Sequence, residues 1–332
     1  MRAAIVGIAG PSLTPAEAAL FTALPPAGVI LFSRNLENPR GLAALVARLR
    51  QVLMPAAVVM VDQEGGRVAR LRPPAWRAHP PAAAHGRLYD TDRAAALRAA
   101  WLTGALIGLD CAAAGIDVAT APVLDLSVPG ADIVVGDRAF HADPRAVARL
   151  GGAMAKGLLA AGVQPVMKHI PGHGRASVDS HLALPTVATG HLARDLLPFA
   201  ANAALPWAMT AHIRYTQWDR ERPATLSPEV IQTIIRGRVR FQGVLVTDDL
   251  AMQALTGEPA TRAKAALAAG ADLALYCSGL RAANESVLAA VPELSAAGLA
   301  RLRRARAMPA SPPLSPKAGP QLHAERDRLL SA

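Results

Sequence analysis

The fourteen residues from Lys168 to His181 carry one lysine, three histidines and one aspartate, in Lys168-His169-Ile170-Pro171-Gly172-His173-Gly174 and Asp179-Ser180-His181. The apolar run Val163 to Met167 stands directly before them, so a buried strand hands its polar end to a loop. An imidazole titrates near pH ~6.5 and is suited to proton transfer at neutral pH. His181 is the candidate group for that transfer, with Asp179 placed to fix its tautomer and stabilise the imidazolium.

A proton donor needs a partner. Val246-Thr247-Asp248-Asp249-Leu250 puts two acids at the end of another buried strand, where the desolvation cost of a carboxylate demands a compensating neighbour or a task. One of the two is a candidate nucleophile; the alternative is that both merely cap the following helix. Asp248 and His181 form the pair that glycoside cleavage requires, if the histidine takes the acid/base role usually held by a carboxylate. In Asp62-Gln63-Glu64-Gly65-Gly66-Arg67-Val68-Ala69-Arg70, Asp62 and Arg70 can accept from and donate to sugar hydroxyls, or else belong to a structural salt-bridge cluster. Arg138, in Gly136-Asp137-Arg138-Ala139-Phe140, is either a ligand-binding cation or a loop staple. His169, His173, Asp179 and His181 also permit a metal-site reading, but neither H-x-H nor H-E-x-x-H spacing is present.

These residues must be positioned by a repeating framework. Eight short strand-like runs recur, at 3–8, 28–32, 57–61, 116–121, 163–167, 207–210, 243–247 and 272–276. Helical stretches near 14–24, 40–53, 92–114, 143–161, 191–204, 228–238, 259–269 and 280–291 alternate with them, several opened by a capping residue before proline, as in Thr14-Pro15, Asp143-Pro144 and Ser227-Pro228. Alternation of this kind is the pattern of a parallel α/β sheet. Asp62, Asp125, Lys168, His169, His212 and Asp248 all follow strand ends, as in a single (β/α)8 TIM-type barrel. Neither G-x-G-x-x-G nor G-x-x-x-x-G-K-[ST] occurs, so a dinucleotide or P-loop fold is not expected. Residues 1–307 are read as the catalytic barrel. Residues 308–332 are read as a Pro/Ala-rich C-terminal extension, on the surface or partly disordered.

Of the 332 residues, 52% are hydrophobic and 18% charged, which permits a large core and excludes wholesale disorder. The formal charge of +10 invites a nucleic-acid-binding reading, but the last 32 residues hold seven Lys/Arg and two acids, which is half of that excess. A solvated helix end accounts for Arg301, Arg303, Arg304 and Arg306, and aromatic residues at 4% are too sparse for base stacking. No apolar stretch approaches the roughly 18 residues that span a bilayer, and the apolar N-terminal run is too short for a signal peptide. A cytoplasmic monomer that binds neither membrane nor nucleic acid is the expectation. Cys111 and Cys277 are expected to be buried, inert thiols.

Together these motifs, with Ala121-Pro122-Val123-Leu124-Asp125 and Met209-Thr210-Ala211-His212, resemble the glycoside hydrolase family 3 β-N-acetylglucosaminidases of the bacterial cell-wall recycling type, over nearly all of residues 1–300. The resemblance implies that Asp248 is a nucleophile forming a covalent glycosyl-enzyme, that His181 is the acid/base paired with Asp179, and that Asp62, Arg70, Arg138, Lys168 and His169 bind the N-acetylglucosamine (GlcNAc) unit. It also implies retention of configuration, no cofactor or metal, and GlcNAc-containing muropeptides or chitooligosaccharides as substrates. A phosphorylase using phosphate in place of water is the alternative within the same chemistry. Three places depart from the family pattern: Gln63 and Thr247, which leave the neighbouring carboxylates in place, and Asp117-Val118-Ala119-Thr120, which alters the pocket near the fourth strand.

Overall fold

The computed structural model describes residues 1–128, 130, 134–176, 178–180, 182–188, 192–309 and 312–331. In chain order the elements are β1 (Arg2–Gly7), α1 (Pro15–Ala23), β2 (Pro26–Leu31), α2 (Pro39–Val52), β3 (Val58–Val61), α3 (Ala82–Thr91), α4 (Arg93–Ala113), β4 (Val118–Ala119), α5 (Pro144–Ala160) and β5 (Gln164–Ile170). There follow β6 (Thr186–Val187), α6 (Leu192–Ala201), β7 (Trp207–Thr210), β8 (Arg214–Tyr215), a π-helix (Val230–Arg238), β9 (Val244–Asp249), α7 (Pro259–Ala269), β10 (Leu273–Tyr276), α8 (Arg281–Ala290), α9 (Ala296–Arg306) and α10 (Gly319–Ser331).

Eight strands close into one parallel barrel in the order β1-β10-β9-β7-β5-β4-β3-β2, the expected (β/α)8 architecture. Alternation along each strand divides the core. Ile5, Ile30, Val58, Met60, Val166, Met209 and Val246 fill the barrel, while Val6, Val29, Val59, Val61, Met167 and Leu245 face the surrounding helices. Leu302 and Ala305 of α9 join the inner cluster. Each expected strand forms, β4 as only two residues. The short parallel pair β6 and β8 lies outside the barrel and was not anticipated, because two-residue strands leave no periodic signal.

Two expectations are corrected. Helix α4 is 21 residues long and apolar enough to cross a membrane, contrary to the reading that no stretch approaches that length. Two thirds of its apolar window is buried within the fold, so its composition reflects packing on both sides. The extension after residue 308 carries the 13-residue helix α10, which packs along α4. Arg98 of α4 grips Glu325 of α10 at 2.7 and 2.8 Å.

Candidate active site

A cleft of about 320 Å³ opens at the C-terminal ends of the barrel strands, at the lower end of the roughly 300–1,000 Å³ typical of small-molecule sites. Asp62, Arg70, Arg138, Lys168, His169, Asp179 and Asp248 all line it. His181, the expected proton donor, lies outside the described residues.

One wall is an ionic network at the ends of β3 and β5. The Lys168 ammonium donates to Asp62 Oδ1 at 2.8 Å and to the Thr120 hydroxyl at 2.9 Å, and pairs with Glu64 Oε1 at 2.6 Å. The Arg70 guanidinium donates to Asp62 Oδ2 at 2.6 Å, and Arg138 holds both Glu64 oxygens at 2.8 Å. Burial alone would raise the Asp62 and Glu64 carboxyls, but Lys168 with Arg70 holds Asp62 well below the ordinary range and Lys168 with Arg138 lowers Glu64. Burial would likewise lower Lys168, and Asp62 and Glu64 raise it instead. Ionic pairing and exposure to the cleft therefore coexist in these residues. Arg138 spends its donors on Glu64, Val134 O and His169 Nε2, so it staples the wall while bordering the cleft. The Arg70 Nε is buried without a hydrogen-bond partner among the described residues, and its guanidinium lies 5.3 Å from the Phe32 ring.

The second wall is the β5 loop. Asp125, fully buried, accepts from His169 Nδ1 at 2.6 Å, from the His169 amide at 3.2 Å and from the His173 amide at 2.6 Å. Since an arginine can only donate, His169 Nε2 accepts from Arg138 at 3.3 Å, and Nδ1 carries the proton toward Asp125. His173 Nε2 meets the Ser180 hydroxyl at 3.0 Å, tying the start of the loop to the residue after Asp179. Burial pushes the His173 imidazole down to about 4, a value that suits a neutral structural ring better than a proton donor at neutral pH.

The floor separates the two neighbouring acids. Asp249 Oδ1 accepts the Ala251 and Cys277 amides at 2.9 and 3.0 Å, so Asp249 braces the turn as a cap would. Among the described residues Asp248 Oδ1 accepts only the adjacent Asp249 amide, at 2.8 Å. Burial raises Asp249, helped by the charge of Asp248. Burial would raise Asp248 as well, but His169, His212, the Asp249 amide and Lys168 outweigh it and keep this carboxyl below its usual value. Asp248 is thus the acid of the pair whose carboxyl is held down, and Asp249 the one whose carboxyl is raised. His212 Nε2 lies 3.0 Å from the Asp249 carbonyl, to which it can only donate. Burial lowers its pKa, and Nδ1 meets the Thr225 hydroxyl at 2.7 Å, which itself donates to the Ala211 carbonyl at 3.0 Å.

Glu64, Thr120 and Asp125 were not assigned roles in the sequence. Glu64 sits within the Asp62–Arg70 motif, and its alternation with Asp62 was the available signal. Thr120 stands at a departure from the family pattern, and its hydroxyl joins the Asp62–Lys168 pair. Gln63, another departure, accepts the Arg70 and Leu71 amides at 2.7 and 2.9 Å and so fixes the loop segment that carries Arg70. Cys277 is buried as expected, yet it borders the cleft; burial, reinforced by Asp249 and Asp248, pushes its thiol well up and leaves it a poor nucleophile.

A parallel barrel whose cleft carries a carboxylate at one strand end and a wall of paired acids and cations at others is an arrangement suited to glycoside hydrolysis. Residues 13–304 match the model described as the glycosyl hydrolase family 3 N terminal domain, and the chain belongs to that family. A β-hexosaminidase of Pseudomonas aeruginosa is 42% identical over 290 residues, covering 84% of this chain and 83% of the relative. One from Aromatoleum aromaticum is 38% identical over 308 residues, covering 90% and 86%. The crystal structure of NagZ from Neisseria gonorrhoeae in complex with N-trifluoroacetyl-D-glucosamine superposes with a TM-score of 0.88 at 31% identity, covering 99% of this chain and 97% of that one.

Proposed function

We propose that this enzyme is a retaining exo-β-N-acetylglucosaminidase that removes terminal GlcNAc from peptidoglycan-derived muropeptides in the cytoplasm. Asp248 attacks the anomeric carbon while His181, oriented by Asp179, gives its proton to the departing glycosidic oxygen. A covalent glycosyl-Asp248 results. His181 then takes a proton from water, whose oxygen displaces Asp248 and releases GlcNAc with retained configuration. Asp62, Arg70, Lys168 and His169 hold the sugar hydroxyls.

The observation that carries this reading is the asymmetry between the two acids on β9. Both acids border the cleft, but Asp249 is committed to the Ala251 and Cys277 amides, whereas Asp248 accepts from the adjacent Asp249 amide and its carboxyl is held below the usual value. The names of the relatives support hexosaminide cleavage, and the amino-sugar derivative in the Neisseria complex supports a GlcNAc-type ligand. Those names lend nothing to the phosphorylase alternative. The test is release of nitrophenol from a β-GlcNAc glycoside, with products compared in the presence and absence of phosphate. Hydrolysis to free GlcNAc that is indifferent to phosphate is the expected result; a phosphorylated sugar product would replace this reading with the phosphorylase. A parallel assay of muropeptide against chitooligosaccharide should favour the muropeptide.

A further inference from the structure

We infer that the C-terminal helix belongs to the active-site scaffold, with Arg326 as a positioning residue that acts through His79 on the Glu64–Arg70 wall of the cleft. The inference rests on the reading of that cleft as the sugar site. Arg326 is only 3% exposed although it lies on the last helix of the chain. Its Nη1 lies 3.2 Å from His79 Nδ1 and its Nη2 donates to the Ala78 carbonyl at 3.2 Å. Asp327, half-exposed beside it, accepts from the same guanidinium at 2.7 and 2.9 Å.

The proton inventory of this cluster is determined. Arg326 can only donate, so His79 Nδ1 accepts and His79 Nε2 donates to Asp110 Oδ2 at 3.0 Å. Arg77 holds the other Asp110 oxygen at 2.6 Å. His79 is buried and its pKa is lowered by that burial, in keeping with a neutral ring. Without Arg326, a buried ring nitrogen and the Ala78 carbonyl would each lose their donor, which native interiors avoid.

His79 connects this cluster to the cleft through its backbone. Its carbonyl accepts the Gly66 amide at 2.9 Å. Gly65 and Gly66 have φ of 105° and 56°, a left-handed conformation open mainly to glycine, and a Cβ on Gly65 would stand 2.5 Å from Pro80 O. The turn is therefore shaped against the 79–81 backbone. The Glu64 and Gly65 amides then both donate to Val68 O, at 2.9 and 3.2 Å. This hairpin delivers Glu64 to Lys168 and Arg138 and places Arg67 and Arg70 on the cleft. Hydrogen bonds joined by the backbone of His79 and of the 64–66 turn thus run from α10 to the sugar-facing wall.

The test compares Arg326→Met with wild type and with Arg98→Met, which breaks the partly exposed Arg98–Glu325 pair to the same helix and the Arg98 contact with the Trp101 ring, but no contact of His79. Two quantities are read: amide hydrogen exchange in residues 64–70, and KM and kcat on a β-GlcNAc glycoside. In Arg326→Met, exchange across 64–70 should accelerate and KM should rise roughly 2- to 30-fold, the range for residues that act on a site through intervening contacts. Arg98→Met should lower the melting temperature without either change. Arg326→Lys, which can restore one of the two donors, should fall between, and it supplies the same readings if the methionine variant does not fold. Wild-type exchange and wild-type KM in the Arg326 variants, with only a lower melting temperature, would overturn the inference. If the wild-type enzyme cleaves no GlcNAc glycoside, the functional reading fails, while the exchange data still decide whether α10 holds the wall.

Discussion

Two buried ionic clusters lie at opposite ends of the barrel, and they differ in what their charges face. At the base, Asp272 immediately before β10 takes Arg236 at 2.9 Å, Arg301 of α9 at 2.6 Å and the Leu245 amide at 2.9 Å. Arg236 spends further donors on the Phe241 and Gly243 carbonyls. That cluster closes on itself and clamps α9 over the barrel. At the rim, Asp62, Glu64, Lys168, Arg70 and Arg138 pair as tightly, yet four of the five border the cleft that Asp248 also lines. Buried ion pairs are often no more stabilising than well-packed apolar groups. A closed cluster can be read as a clamp, whereas one that opens on a cavity is better explained by a ligand.

Predictions that follow from this contrast differ in size. The largest effect is expected for Asp248→Asn, which should fold normally and lose kcat by about 10⁴-fold, the scale on which one member of a catalytic set counts; steady-state rates and circular dichroism check both halves. His181→Ala should slow poor leaving groups far more than activated nitrophenyl ones, because only the poor ones need protonation. Lys168→Met leaves Asp62 and Glu64 without their shared cation, and should cost about 3–5 kcal/mol in denaturant titration together with activity. Arg301→Met should lower stability but leave kcat/KM unchanged, since Arg236 and the Leu245 amide still serve Asp272. Equal losses of activity in these two variants would abolish the distinction between the clusters. The smallest effect is expected for Thr120→Val, about 1–3 kcal/mol for the hydroxyl withdrawn from Asp62 and Lys168, read chiefly as a raised KM.

The rim also sets an acid limit. Asp62 and Glu64 have folded pKa values below their ordinary values of 3.8 and 4.5, so their contribution to stability is complete above those ordinary values. It is lost as pH falls below them toward the depressed folded values. Removing Lys168 lifts both carboxyls, so acid unfolding of Lys168→Met should begin at higher pH than in wild type. Urea midpoints measured against pH test this directly.

The barrel was legible because its strands are short apolar runs, five of them followed by a charged or histidine residue at the site-forming end. Asp62, Lys168, His169 and Asp248 could be picked out on that ground alone. The division of labour between Asp248 and Asp249 was not, since it depends on the Cys277 amide arriving from the next strand. Glu64 was passed over because a cation from β5 and another from the loop before α5 give it its place, and neither is near in sequence. The terminal helix was hidden behind Pro309, Pro312 and Pro313, which read as an unstructured end. Nothing in the sequence singles out Arg326, because burial of a single arginine on an otherwise polar helix has no periodic signature.

The central claim is that Asp248 carries the glycosyl group through the reaction. Incubating the enzyme with a 2-fluoro GlcNAc-type donor, which slows breakdown of the intermediate, and mapping the adduct by peptide mass spectrometry tests it most directly. The adduct is predicted on the peptide containing Thr247-Asp248-Asp249, localised to Asp248. An adduct on Asp249 or on any other side chain, or turnover with no covalent species under conditions that trap retaining enzymes, would contradict it.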